Sequence, residues 1–234
     1  MIGYEVAVES YAEFHEVIAR YDSRQFLFRG VARTTYDLIP RIGRTTDRLH
    51  EDLYQYETEL MTLFKRNAIP YLTTSPSNEW EWLAIAQHHG LPTRLLDWSR
   101  NPIVAAFFAV QESLDEDAVI YALNTGQETL QVATEFEFEP YVYDENRATD
   151  VKIYEPDHII PRIVVQKGCF TVHSDPTLPL NLHPEIFIDR IVIRSHFRKT
   201  LKRTLDSYGI NTATLFPGLD GLCSYLDWYT RKIV

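Results

Sequence analysis

The sequence predicts an α+β fold, a single mixed or antiparallel sheet with helices packed against it. Three observations carry this. Short apolar runs of strand length recur along the chain: QFLFRG (25–30), AVIYAL (118–123), RIVVQKGCFTVH (162–173) and DRIVIR (189–194). Between them lie segments whose apolar residues return every three or four positions, as on one face of a helix. The two types alternate without the regular strand–helix–strand rhythm that a doubly wound parallel sheet requires.

Each element has a local reason. Residues 9–21 set Phe14, Val17, Ile18 and Tyr21 at helical spacing, and residues 25–30 form a strand closed by Gly30. In 51–66, Leu53, Tyr56, Leu60, Leu63 and Phe64 share a face, with acids first and bases last, the order that suits a helix dipole. TTSPSN (73–78) is linker-like, and 79–90 is a helix stopped by Gly90. Pro92 biases Leu91 away from the helical region, so 91–98 is extended. Ser99 or Asn101 caps a helix that starts at Pro102. A buried strand (118–123) follows, then 133–143, where acids alternate with aromatics as in a half-exposed strand. The strands at 162–173 and 189–194 precede a helix at 195–209, stopped by Gly209, and a final amphipathic helix at 218–234. The expected organisation is one domain over 1–234, with a core at about 22–225 and the terminal helices packed on it.

Composition narrows the function classes. The 234 residues are 45% hydrophobic and 24% charged, an ordinary globular balance, and 13% aromatic, with 14 Tyr and 12 Phe. With 23 Lys and Arg against 33 Asp and Glu, the net charge of −10 repels nucleic-acid backbones at long range. The one basic patch, Arg198, Lys199, Lys202 and Arg203, is expected to be a solvated or partner-facing side. Cys169 and Cys223 form no CxxC pair and no disulfide framework, and Cys169 in its strand pattern is expected to be a buried thiol. The start carries acids instead of a basic leader, and no apolar stretch approaches the ~20 residues of a membrane span. A soluble protein of a reducing, cytoplasmic compartment is expected. No HExxH, Cys/His cluster, GxSxG, P-loop or GxGxxG occurs, so neither a metal nor those catalytic classes are expected.

Phe28-Arg29-Gly30, the run QHHGLPTRLLDW (87–98), Asn101-Pro102, and Ala105, Phe107, Phe108 and Ala109 are followed by Pro161-Arg162-Ile163, Gln166, Gly168 and Phe170. Leu215-Phe216-Pro217 and Leu219-Asp220-Gly221-Leu222 come last. In this order, over roughly residues 26–225, they resemble the FRG domain family. A fainter resemblance is to ADP-ribosyltransferases. FLFRG is similar to their first motif, LLDWSRNPIVAAFFA to the strand–turn–helix of the second, and IVVQKGCF to the third strand. Two departures stand out: Asp97-Trp98-Ser99 replaces a Ser-Thr-Ser-like turn, and Gln166 stands where Glu is usual. The resemblances imply an enzyme that uses NAD as a substrate, for ADP-ribosyl transfer or NAD hydrolysis in a toxin or defence role. The alternative is a non-catalytic module that binds a nucleotide or a protein. The implied partners are a nucleotide-type small molecule and a protein partner or acceptor, with neither nucleic acid nor membrane.

NAD cleavage develops positive charge on a ribose beside an anionic pyrophosphate, so it needs a fixed cation, an aromatic plane and acceptors for ribose hydroxyls. The candidate catalytic residues are Arg29, Asp97 and Gln166. The candidate binding residues are Arg29 as a phosphate fork, Gly30 for close backbone approach, Thr93, Arg94, Trp98 and His88, with Trp98 or Phe107 stacking on the ring. With Gln166 in the third place, the carboxylate that would stabilise an oxocarbenium ion is missing there. Structural roles compete at the same positions: an Arg29–Asp97 ion pair pinning two strands, Arg94 as a packed strut, and His88 held by a helix dipole. Arg29, Arg94, Asp97 and Gln166 are expected to converge in one pocket, because burying such polar groups separately is costly.

Overall fold

The computed structural model describes residues 2–45, 51–72, 74–112, 115–133, 150–156 and 161–231. Among these, eight strands form one sheet: β1 (Ile2–Val8), β2 (Phe26–Val31), β3 (Leu95–Ser99), β4 (Ala118–Asn124), β5 (Gln131–Val132), β6 (Val151–Tyr154), β7 (Gly168–His173) and β8 (Ile188–Ile193). Their spatial order is β1-β8-β4-β2-β3-β7-β6-β5. The outermost pairs, β1 with β8 and β5 with β6, are parallel, and the inner pairs are antiparallel. The fold is α+β with a mixed sheet.

Side chains alternate across the strands, so neighbours in sequence serve different layers. Phe28, Ile120 and Ile191 pack with α1 (Tyr11–Ile18), α5 (Pro102–Val110) and α7 (Ser195–Ser207). Leu27, Val119 and Trp98 face the other way, onto Leu38, Leu180 and Ile186. A third cluster joins Leu95, Phe170 and Val172 to Met61 of α3 (Leu53–Ala68) and Leu83 of α4 (Glu79–His88).

Most helix signals act where the sequence places them. Ser10 caps α1, Asn78 caps α4, and Asn101 rather than Ser99 caps α5, whose first residue is Pro102. Gly90 (φ +86°) and Gly209 (φ +77°) follow α4 and α7 in the left-handed region that favours glycine. Four expectations change. First, 162–173 is not one strand: Pro161–Gln166 is a helix, α6, and Lys167 at φ +47° turns the chain into β7. Second, α3 is rotated from its expected face. Leu63 is exposed, whereas Glu57 and Met61 are buried, because Glu57 meets Arg94 inside the protein. Third, the basic stripe dissolves. Arg198 is buried and donates to the carbonyls of Ala109, Glu112, Ala32 and Glu116, while Lys202 donates to that of Gln111. These cations close the C-terminal end of α5, where carbonyls lack helical partners. Fourth, β1 has no counterpart among the expected elements, since its apolar residues are split by Gly3 and Glu5 at an exposed sheet edge. The expected strand at 133–143 lies outside the described residues apart from Ala133. The short helices α2 (Arg41–Arg44) and α8 (Thr212–Leu215) and the final α9 (Leu219–Arg231) complete the chain, α9 being largely exposed. Among the described residues no helix is long and apolar enough to cross a membrane.

One buried polar pair ties α3 to the sheet, and a second buried network lies within the sheet itself. Arg94 Nε and Nη2 donate to Glu57 Oε2 at 2.9 and 2.5 Å, and the Arg94 amide to Glu57 Oε1 at 3.3 Å. In β3 and β7, the Trp98 indole N–H donates to Thr171 Oγ1 at 3.0 Å, and Thr171 lies 2.9 Å from His173 Nε2. The Trp98 indole, the Thr171 hydroxyl and the His173 ring thus form one continuous hydrogen-bonded chain. Burial, with the charge of Arg94 behind it, pushes the His173 imidazole down to about 3.

Arg94→Ala is expected to cost about 3–5 kcal/mol in denaturant unfolding, because Glu57 is left charged and buried. An apolar replacement of both residues, Arg94→Met with Glu57→Leu, should recover most of that loss, and a double variant no more stable than the single one would contradict the pairing. His173 gives a pH signature. Its unfolded value is about 6.5, so as pH falls below that the unfolded chain takes up a proton that the folded one refuses until about 3, and stability declines across that window. Melting curves at about pH 7 and about pH 5 should show a smaller loss in His173→Gln than in the wild type. Equal losses would exclude His173 as the titrating group.

Candidate functional site

The sheet is open at its centre. β2 pairs with β4 from Phe26–Asn124 to Val31–Val119, and β3 with β7 from Leu95–Val172 to Ser99–Gly168. β2 and β3, by contrast, meet only at Phe28–Ser99. Beyond that pair they diverge around a cavity of about 230 Å³ lined by Arg29, Gln87, His88, Asp97, Arg162 and Gln166, with Phe108 and Phe170 as apolar walls.

Arg29 bridges the divergence. Its Nη1 donates to the Asp97 carbonyl at 2.6 Å and lies 3.7 Å from Asp97 Oδ2, while Nε is buried without an acceptor among the described residues. Burial lowers Arg29 below the usual guanidinium range, Asp97 opposes this, and the charge of Arg44 adds to it. The Asp97 side chain is 56% exposed. Its Oδ2 accepts from Gln87 Nε2 at 2.8 Å, and Gln87 Oε1 accepts from Thr93 Oγ1 at 2.6 Å. Arg162 of α6 also lines the cleft, and its guanidinium lies 4.3 Å from the centre of the Phe216 ring. Among the described residues it makes no ion pair. Burial and the charges of Arg162 and His89 push the His88 imidazole down to about 4, so it is neutral at pH 7.

Arg29, Asp97, His88 and Gln166 therefore border one cleft, and Arg94 does not. Arg94 is buried against Glu57, and Thr93 is also fully buried, behind Gln87. Trp98 borders the cleft, but its indole is 3% exposed and tied to Thr171, so it offers no stacking face. Phe107 is core, and Phe108 is the aromatic that lines the cleft. Gly30 lines the cleft and is also required by a helix: a Cβ there would sit 1.8 Å from the Ala105 carbonyl oxygen of α5. Gln166 ends α6, not a strand, and its Nε2 donates to the Leu215 carbonyl at 2.8 Å. Cys169 borders the cleft, with burial pushing its thiol up to about 12, so it is no nucleophile at neutral pH. Among the described residues, no three His, Cys, Asp or Glu side chains gather as metal ligands.

Sequence reasoning assigned no role to Gln87 or Arg162. The signal for Gln87 was a polar residue closing the otherwise apolar WLAIA run; for Arg162, it was a cation beside Ile163 at the head of an apolar segment.

The environments of Arg29 and Arg94 separate them experimentally. Removing Arg29 leaves Asp97 partly in water and still held by Gln87, so Arg29→Ala should cost under about 1.5 kcal/mol of stability. A loss matching that of Arg94→Ala would show that Arg29 is a strut.

Residues 24–118, from the entry to β2 to the start of β4, match the family model of the FRG domain. No curated protein and no solved structure matches the chain. The matched segment contains Arg29, Gln87, His88 and Asp97, whereas Arg162 and Gln166 lie beyond it. The chain carries an FRG domain across residues 24–118.

Proposed function

We propose that the cleft binds a nucleotide-type anion, NAD foremost, and breaks its nicotinamide–ribose bond, passing ADP-ribose to water or to an acceptor. The observation that carries this is Arg29. A guanidinium held at the mouth of an opened sheet has one backbone bond, one long ion pair to a half-exposed carboxylate, and a buried Nε with no acceptor among the described residues. Such a cation is under-neutralised, and an anionic phosphate is its natural complement. Arg162 offers a second cation in the same cleft. The cavity of about 230 Å³ is below the size that encloses a whole drug-sized ligand, so it suits the nicotinamide–ribose end and leaves the adenosine half outside.

Asp97 supplies the carboxylate that Gln166 lacks. Its Oδ1 carries no hydrogen bond among the described residues and can face a ribose hydroxyl or the charge that develops at the anomeric carbon. The glycosidic electron pair leaves with the nicotinamide nitrogen, the anomeric carbon takes the acceptor oxygen, and the acceptor's proton is released. Neutral His88, which lines the same cleft, serves in this reading as the proton acceptor. A second reading, binding without cleavage, is favoured by one observation: Asp97 is already engaged by Gln87 and Arg29, which drains its charge.

Incubation with NAD, followed by proton NMR for free nicotinamide and by a melting-temperature shift, separates the readings. Cleavage predicts both signals. A shift without nicotinamide selects the binding module, and neither signal sinks both. Arg29→Ala should weaken ADP-ribose binding by about 2–5 kcal/mol, and Arg29→Lys, which keeps the charge without the fork, should weaken it too. Asp97→Asn should abolish nicotinamide release while leaving ADP-ribose binding. Because His88 titrates at about 4, release should persist from about pH 7 to about pH 5, where an ordinary imidazole base would be lost. A decline centred near 6.5 would remove His88 from the mechanism.

A further inference from the structure

Thr93 is fully buried and cannot touch a ligand, yet it controls a group that can. Its Oγ1 accepts the Leu95 amide proton at 3.2 Å and lies 2.6 Å from Gln87 Oε1. A hydroxyl has one proton, and an amide oxygen can only accept, so the Thr93 proton must point at Gln87 Oε1. The Asp97 carboxylate, which can only accept, fixes which end of the Gln87 amide faces the cleft, and the Thr93 proton holds the other end. With Oε1 turned toward Thr93, the NH₂ is presented to Asp97 Oδ2 at 2.8 Å. Were the amide reversed, Nε2 could still donate to Thr93 Oγ1, but Oε1 would face the Asp97 carboxylate, acceptor against acceptor. The chain runs in one direction: Thr93 hydroxyl to Gln87 carbonyl, Gln87 amide to Asp97.

We infer that Thr93 and Gln87 are positioning residues for Asp97. Together they clamp Oδ2 and leave Oδ1 directed at the ligand, an inference that rests on the NAD-cleaving reading of the cleft. The consequence is a division of labour within one site. Arg29 determines how tightly the phosphates are held, whereas the Thr93–Gln87 chain determines how well the carboxylate meets charge that appears only as the glycosidic bond breaks. An interaction made mainly in the transition state lowers kcat more than it raises KM.

Four proteins test this: wild type, Thr93→Val, Thr93→Ser and Gln87→Glu. Thr93→Val removes the directing proton at nearly constant volume, Thr93→Ser keeps it, and Gln87→Glu sets a second carboxylate against Asp97 without touching the buried hydroxyl. Three readouts are needed: solvent exchange of the Gln87 side-chain NH₂ by NMR, assigned by its disappearance in Gln87→Glu, the ADP-ribose dissociation constant, and the kcat and KM of nicotinamide release. The expected result is faster NH₂ exchange in Thr93→Val and kcat lower by about tenfold or more in Thr93→Val and Gln87→Glu. ADP-ribose affinity in Thr93→Val should stay within about twofold, and Thr93→Ser should behave as wild type. NH₂ exchange unchanged in Thr93→Val overturns the directed chain even if NAD is cleaved. Equal kcat in wild type and Thr93→Val, or equal loss in Thr93→Val and Thr93→Ser, overturns the positioning role. Wild-type protein that releases no nicotinamide overturns the reading of the cleft itself, and the NH₂ exchange still decides the chain independently.

Discussion

The cleft depends on β2 and β3 touching at a single residue pair, Phe28–Ser99. A sheet that stayed zipped there would give the Asp97 carbonyl to backbone donors and leave no room for a ligand. Instead α5 starts three residues after Ser99, capped by Asn101, and lies directly on β2. Its Ala105 carbonyl occupies the space a side chain at position 30 would need, so only glycine permits this approach. With α5 seated, β2 is held to β4 and β3 to β7, and the gap between them is spanned by the Arg29 side chain.

Burial separates the two arginine–carboxylate pairs beside β3. Arg94 and Glu57 are sealed from water and hydrogen-bonded at short range, which closes their valences and ties α3 to the strand. Arg29 and Asp97 stand 3.7 Å apart at a solvent-facing mouth, with donor and acceptor capacity left over. A closed pair is scaffolding, and an open pair can bind. The fold needs the first so that the second can stay unfinished.

Much of this organisation is legible in the sequence, and the rest fails for physical reasons. Caps and stops are local chemistry, so Asn101, Pro102, Gly90 and Gly209 were readable one by one. The apolar run RIVVQKGCFTVH was not, because a short buried helix and a strand share that composition; Pro161 at the head and the turn at Lys167 decide it. Strand alternation separates Asp97 from Trp98, but it cannot reveal that Arg94 has a partner 37 residues earlier on another element. Gly30 reads from sequence as a place of close approach, and the tertiary fold adds a demand that the sequence does not reveal, the seating of α5 on β2. Gln87 and Arg162 acquire meaning only when the tertiary fold brings α4 and α6 to the same cleft.

The central claim is that the gap between β2 and β3 is a nucleotide site organised by Arg29. A crystal structure of the protein soaked with ADP-ribose tests it most directly. The account predicts density in the gap, with the pyrophosphate on Arg29 and Arg162 and a ribose hydroxyl on Asp97 Oδ1. Density bound elsewhere on the protein, or an empty gap at a saturating ligand concentration, would contradict it.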